Sequence, residues 1–153
     1  DNKNYLISDE LELVPLQLYT QMVNYPVIIN PNDKIDYASV KYLTNKSESL
    51  TGVKIISAIK LINPELYDLI SDVDLSGDQN INIRLTNYDY EIRLTKKDFV
   101  RQLSYLSEIW NRLKKNTMQN NIEYVDLRFN QNVFIGFKQD DVDSGEIRSW
   151  RKR

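Results

Sequence analysis

The amino-acid sequence predicts an α+β fold, in which an extended and mostly antiparallel β-sheet carries two or three helices packed on it. Several short segments alternate apolar and polar residues between turn-forming residues, as the strands of a sheet do. One segment, 99–113, repeats apolar residues at spacings of three and four, which indicates an amphipathic helix. The chain has 153 residues, 41% hydrophobic and 27% charged, which is typical of one globular domain.

The first predicted elements are short strands. Residues 5–7 and 11–14 flank a polar turn and predict a hairpin, which Pro15 limits. Residues 25–29 predict another strand, closed by an Asn-Pro-Asn-Asp turn. Residues 34–50 are polar and mixed, and they predict no element.

A helix and a β-meander follow. Residues 51–62 have apolar positions at roughly helical spacing, and Pro64 ends the pattern, although the β-branched residues would also suit a strand. Residues 69–75, 80–85 and 90–94 alternate around turn residues, which predicts three successive strands.

The most regular element is the helix at 99–113. Thr95 to Asp98 resembles a capping box at its start. Lys114 and Lys115 stand at its end, where the helix dipole favours cations. We expect this helix to cover one face of the sheet.

The most informative segment is a predicted hairpin at 124–137. Residues 124–129 alternate around two charges, 130–132 are Asn-Gln-Asn, and 133–137 are β-branched or aromatic apart from one Gly. Two such runs joined by a short Asn-rich link predict a β-hairpin. A last strand often forms the edge of its sheet, where unpaired backbone groups can pair with a partner chain. We therefore expect binding rather than catalysis.

We divide the chain into a β domain at 1–138 and a polar C-terminal tail at 139–153. The tail loses the apolar periodicity and ends in Arg-Ser-Trp-Arg-Lys-Arg. Such an end predicts a mobile segment.

The composition excludes several classes of function. The chain has no Cys and no His, which removes thiol catalysis, disulfides, the usual zinc sites and Ser-His-Asp triads. A net charge of −2 provides no electrostatic footprint for nucleic acid. No apolar run reaches the roughly 18 to 20 residues that a membrane helix needs. We expect no cofactor, no metal and no nucleic-acid partner.

Two other functions remain open. Asp126 could combine with Asp72, Asp74 or Asp89 as the acidic pair of a hydrolase, but the spacing selects no pair. The basic residues of the helix and the tail could bind an anionic surface. A calcium loop from Asp72 is not favoured, because its twelfth position, which needs Glu, is Ile83.

Asp126 and Arg128 allow two interpretations. Two residues apart on a strand, they share one face, while Val125 and Leu127 share the other. The two charges could form a solvent-facing pair on a half-exposed strand. Alternatively, Arg128 could help to hold a partner strand against the sheet.

The hairpin resembles the C-terminal signature of the FtsQ/DivIB cell-division family. That signature is a hydrophobic-Asp-Leu-Arg-aromatic strand, a short turn, and an apolar strand ending in Gly-aromatic. The corresponding segments here are 125–129, 130–132 and 133–137. The Pro-Val-Ile step at 26–28 is also similar, and the meander and the long helix follow in the family's order. The resemblance covers roughly residues 5–138.

The resemblance implies a non-catalytic scaffold of the bacterial divisome that supports septum formation. It implies the extracytoplasmic domain of a single-pass protein of the cytoplasmic membrane, attached only through an N-terminal anchor outside this chain. The implied partners are FtsB-like and FtsL-like proteins, bound by strand addition, with aromatic anchors in the last strands. The implied contact residues are Arg128, Phe129, Gln131, Asn132, Val133, Phe134, Ile135, Gly136 and Phe137.

Overall fold

Nine strands and three α-helices form the part of the chain that the computed structural model describes, residues 4–16, 24–33, 36–45, 47–115, 119–130, 132–138 and 148–151. β1 (Tyr5–Ile7) and β2 (Leu13–Pro15) pair as a small antiparallel sheet. The main sheet contains, in spatial order, β3 (Val27–Ile29), β4 (Ile70–Asp74), β5 (Asn80–Leu85), β6 (Tyr88–Thr95), β7 (Ile122–Asp126), β8 (Asn132–Phe137) and β9 (Arg148–Arg151). The α-helices are α1 (Glu48–Ile62), α2 (Pro64–Tyr67) and α3 (Phe99–Lys115), and a 3-10 turn covers Gln119–Asn121.

The main sheet is mostly antiparallel, with two parallel joints. β3 pairs with β4 in parallel, and β6 pairs with β7 in parallel, whereas the other four neighbours are antiparallel. Parallel neighbours need a crossover connection. Helices α1 and α2 lie in the first crossover, and α3 lies in the second. The predicted α+β class is therefore confirmed.

The core lies between one face of the sheet and the helices. Alternate residues of the strands are buried, as the alternation in the sequence predicts, and they meet the apolar stripes of α1 and α3. The principal contributors are Ile55, Ile59, Ile81, Ile83, Ile92, Leu94, Leu103, Leu106, Trp110 and Val125. The opposite face, which we call the open face, carries Asp72, Arg84, Glu91, Arg93 and Asp126.

Most predicted elements are confirmed, with shifted ends. The first hairpin, the strand at 25–29, the meander and the hairpin at 124–137 are present, and α1 begins earlier than predicted. The capping box at the start of α3 is wrong, because Thr95 is the last residue of β6. There its hydroxyl accepts a hydrogen bond from the Gln102 side-chain amide (3.1 Å).

The C-terminal end differs from the polar tail that the sequence predicts. Residues 148–151 form β9 and pair antiparallel with β8. β8 is therefore not the outermost strand, and the prediction that the hairpin supplies the sheet edge is wrong. The strand at 148–151 could not be predicted from the sequence, because strand pairing uses backbone groups and requires no apolar periodicity. Residues 139–147, 152 and 153 lie outside the described residues, and the domain boundary after 138 stays a prediction.

Candidate functional site

The predicted contact residues are distributed over two faces of the β7–β8 hairpin. Val133 and Ile135 are buried in the core, 0% and 5% exposed. Phe134 lies opposite Asp126 and Gly136 lies opposite Tyr124, so both belong to the open face. The predicted group therefore comprises β8 and residues that precede it, and its described side chains do not form one surface.

Hydrogen bonds of the neighbouring residues show to which side each residue of β8 points its backbone N–H and C=O groups. Leu127 N–H donates to the Arg93 carbonyl of β6 (3.0 Å). Since successive residues of a strand point their backbone groups to opposite sides, those of Asp126 point toward β8. Lys138 N–H donates to the Asn121 carbonyl (2.8 Å), on the β7 side. Because alternate residues of an antiparallel strand face opposite neighbours, residues 134 and 136 point toward β7, and 133, 135 and 137 point outward. The outward-facing backbone groups of these three residues are the ones that a further strand would use.

The Asp126–Arg128 pair is formed, and its carboxylate is buried. Asp126 is 3% exposed and accepts three side-chain hydrogen bonds from Arg128, from Nε at 2.9 and 3.1 Å and from Nη2 at 2.6 Å. Arg128 N–H also donates to Asp126 Oδ1 (3.0 Å). Hydrogen bonding to Asp126 raises the pKa of Arg128. The interpretation as a solvent-facing pair is wrong, and the pair instead fixes the chain where it leaves β7.

Gly136 has a specific packing role. A Cβ added at Gly136 would overlap the ring of Tyr124 on the neighbouring strand. The Arg93 guanidinium lies on that ring, 4.0 Å from its centroid, as a cation–π contact. The ring of Tyr124 therefore needs a glycine beside it, and the three residues form a stack across the open face. The sequence pattern did not single out Tyr124 and Arg93, although counting outward from the Asn-rich turn places Tyr124 opposite Gly136.

A partly exposed aromatic pair lies at the turn end of the hairpin. The rings of Phe129 and Phe134 meet edge to face, with centroids 4.8 Å apart and an interplanar angle of 72°. Phe129 is 51% exposed, in contrast to the buried Val133 and Ile135. Partly exposed, rigid aromatic side chains are typical anchors of protein interfaces.

The other three predicted contact residues are Phe137, Asn132 and Gln131, and they do not share one environment. Phe137 is half-buried and packs against the core. The Asn132 side-chain amide donates to the Asn130 carbonyl (3.3 Å), which closes the turn. Gln131 lies outside the described residues.

Three of the four acidic residues proposed for hydrolysis pair with arginines, and the fourth, Asp89, is exposed and lies 3.5 Å from Lys138 Nζ. Asp72 and Asp74 both face Arg84, at 2.8 and 3.9 Å, and Asp126 binds Arg128. Burial acts to raise the pKa of Asp74, but hydrogen bonds from Ser76 and Asn30 and the charge of Arg84 outweigh it and lower that pKa. A general acid requires the opposite change. No group of three or more potential metal-ligating side chains occurs among the described residues.

The basic surface proposed for anion binding is partly neutralised. Arg101 of α3 pairs with Asp98, which immediately precedes the helix, and Lys114 pairs with Glu65 of α2 (2.5 Å). Lys96 pairs with Glu48 of α1 (2.9 Å). These partners reduce the charge that is available for a phosphate or a lipid head group.

The sequence comparisons give one match. Residues 1–128 match the family model described as "Cell division protein FtsQ/DivIB, C-terminal". Comparison with curated proteins gives no match. The match ends at Arg128, so β8 and β9 lie beyond it. In the described part of the chain, no helix is long and apolar enough to cross a membrane.

Proposed function

This chain belongs to the FtsQ/DivIB family of cell-division proteins, and we propose that it is a scaffold that binds FtsB-like and FtsL-like divisome proteins at the β7–β8 hairpin. The C-terminal domain of this family is extracytoplasmic. For this chain we propose a position on the outer face of the bacterial cytoplasmic membrane, where it supports septum formation. The observation that carries the proposal is the outward-facing backbone of β8 beside a partly exposed aromatic pair.

The proposed mechanism is strand addition. A partner segment would pair with the outward-facing backbone groups of residues 133, 135 and 137. Phe129 and Phe134 would supply apolar contact area at the turn end of the same strand. Backbone pairing provides affinity with little sequence information, and the aromatic contacts add specificity.

We also propose that the domain is not an enzyme. The acidic side chains of the open face are occupied by Arg84, Arg93 and Arg128. A depression beside Arg93 and Arg128 has a volume of about 280 Å³ and is lined by polar residues such as Asp74, Asn82 and Glu91. Carboxylates held as ion pairs in an open depression support a structural role for these charges rather than acid catalysis.

The test is calorimetric titration of the domain with peptides from the FtsB-like and FtsL-like proteins of its own organism. We expect Phe129→Ala to weaken binding about tenfold or more, because the side chain of an interface anchor contributes more than about 1 kcal/mol. The matched control is Leu61→Ala on α1, which also removes an exposed apolar side chain, 85% exposed. Leu61→Ala should leave the affinity unchanged.

Two results would contradict this proposal. One is wild-type affinity in the Phe129→Ala variant, and the other is no binding of the peptides to any form of the domain that keeps the β7–β8 hairpin intact. A salt titration separates the anion-binding alternative, because binding through several phosphate contacts weakens steeply with salt, whereas strand addition does not. Val133→Pro is a poor variant for this purpose, since Val133 is 0% exposed and the change would also disturb the core.

A further inference from the structure

The outward-facing backbone of β8 is already occupied by the chain's own C-terminal segment. β9 pairs with β8 in the register Val133 to Trp150 and Ile135 to Arg148. Residues 133 and 135 point away from β7, so they are the positions that exchange backbone hydrogen bonds with β9. Within the described part of the chain, β9 pairs with β8 alone.

We propose that β9 is an internal competitor for the partner-binding edge and that a partner strand must displace it. This inference rests on the proposed function, because it concerns the same edge of β8. The backbone N–H and C=O groups of Val133 and Ile135 can serve one neighbouring strand at a time. A strand from a partner and β9 therefore exclude each other at these positions.

The pairing of β9 is suited to displacement. Among the described residues, the pairing covers four positions of β8, from Asn132 to Ile135. Short strands at a sheet margin open at low free energy, which makes such an exchange possible without unfolding the core.

The expected size of the effect follows from the fraction of molecules in which β9 is detached. The measured dissociation constant is the intrinsic one divided by the fraction of the binding-competent state. If β9 is detached in about one molecule in ten, its removal strengthens partner binding about tenfold.

Two proline variants in the full chain separate pairing from other effects of β9. Residues 148 and 150 point their backbone groups toward β8, so residue 149 points away from it. Trp150→Pro removes the N–H that pairs with Val133. Ser149→Pro also removes an N–H, but this one faces away from β8, where an edge strand tolerates proline. The two variants change adjacent residues in the same strand, and only the first breaks the pairing.

The first measurement is amide hydrogen exchange followed by NMR in the full chain and both variants. We expect the amides of Val133 and Ile135 to be protected in the wild type and in Ser149→Pro, and to exchange about tenfold or more faster in Trp150→Pro. The amides of Phe134 and Gly136 point toward β7 and should stay protected in all three proteins, which controls for folding. Equal exchange at Val133 and Ile135 in the wild type and Trp150→Pro would overturn the pairing.

The second measurement is titration of the same three proteins with the FtsB-like and FtsL-like peptides. Competition requires Trp150→Pro to bind more tightly than the wild type and Ser149→Pro to bind like the wild type. Equal affinity in all three, with the exchange difference present, would show that the partner uses another surface and would overturn the competition. Absence of binding to all three would refute the proposed function and the competition with it, while the exchange pattern would still report whether β9 pairs with β8.

Discussion

Asp33 should be a major stabilising residue, because its carboxylate caps helix α1 from outside the helix. Ser47 stands at the N-cap position, but its side chain makes no capping hydrogen bond. Instead, Asp33 accepts hydrogen bonds from the backbone N–H groups of Glu48 and Ser49, the latter at 3.0 Å. It also accepts hydrogen bonds from the hydroxyls of Ser47 (2.7 Å), Ser49 (2.9 Å) and Tyr37.

The pKa of Asp33 sets the size and the pH dependence of this effect. Burial acts to raise the pKa, but the hydrogen bonds from Tyr37, Ser47, Ser49 and Glu48 outweigh it and lower the pKa from 3.8 to about 2. At about 1.4 kcal/mol per pH unit, this difference corresponds to about 2.5 kcal/mol. Solvent screening at a half-buried carboxyl reduces the contribution to about 1–2 kcal/mol. A lowered pKa stabilises the fold above the unfolded-state pKa, and the contribution disappears as the pH falls through the folded-state pKa.

The variant that tests this is Asp33→Asn, measured by urea unfolding at several pH values. We expect a loss of about 1–2 kcal/mol in the free energy of unfolding at pH 7, because the amide lacks the charge and presents donors toward donors. The difference from the wild type should shrink between about pH 5 and pH 2. Asp36→Asn is the matched control, because among the described residues the Asp36 carboxylate accepts one hydrogen bond, from Ala38 N–H (3.0 Å), at an exposed position. A difference of less than about 0.5 kcal/mol for Asp33→Asn at pH 7 would refute the capping role.

Three further predictions concern single residues of the sheet. Gly136→Ala should lower the free energy of unfolding by about 1–3 kcal/mol because of the overlap with Tyr124, and Tyr124→Ala in the same chain should remove most of that loss, as a double-mutant cycle would measure. Arg128→Leu should cost about 2–3 kcal/mol in urea unfolding, because it leaves the buried Asp126 carboxylate without its counter-ion; an unchanged midpoint would contradict this. Tyr90→Phe should leave stability unchanged or raise it by up to about 1 kcal/mol in thermal unfolding, because the buried hydroxyl has no hydrogen-bond partner among the described residues. A loss above about 1 kcal/mol would indicate a partner, such as a buried water.

The sheet and its helices could be predicted because their signals are local. Alternation in β5 and β6 places Ile81, Ile83 and Ile92 on one face, and the same residues are buried. The spacing of Leu103, Leu106 and Trp110 defines the buried stripe of α3 in the same way. In both cases the apolar residues repeat with the period of the backbone, so the local sequence is enough to predict the element and its buried face.

The cap of α1 could not be predicted because its parts are far apart in the chain. Asp33 lies 15 residues before Glu48, whose N–H it accepts. The segment between them has no apolar period, and capping patterns in sequence are recognised only within one helical turn. No local pattern therefore links Asp33, in the turn after β3, with the start of α1.

The outer edge of β8 shows a different limit of the sequence. The alternation at 133–137 identifies a strand with one buried face, and it also determines that some backbone groups point outward. It does not determine which strand pairs with them, because every residue except proline offers the same N–H and C=O groups. A polar segment such as Arg148–Arg151 can therefore compete with an apolar partner segment for the same hydrogen bonds. The sequence of β8 therefore does not determine which strand occupies this edge, and the proposed competition must be tested in the full chain.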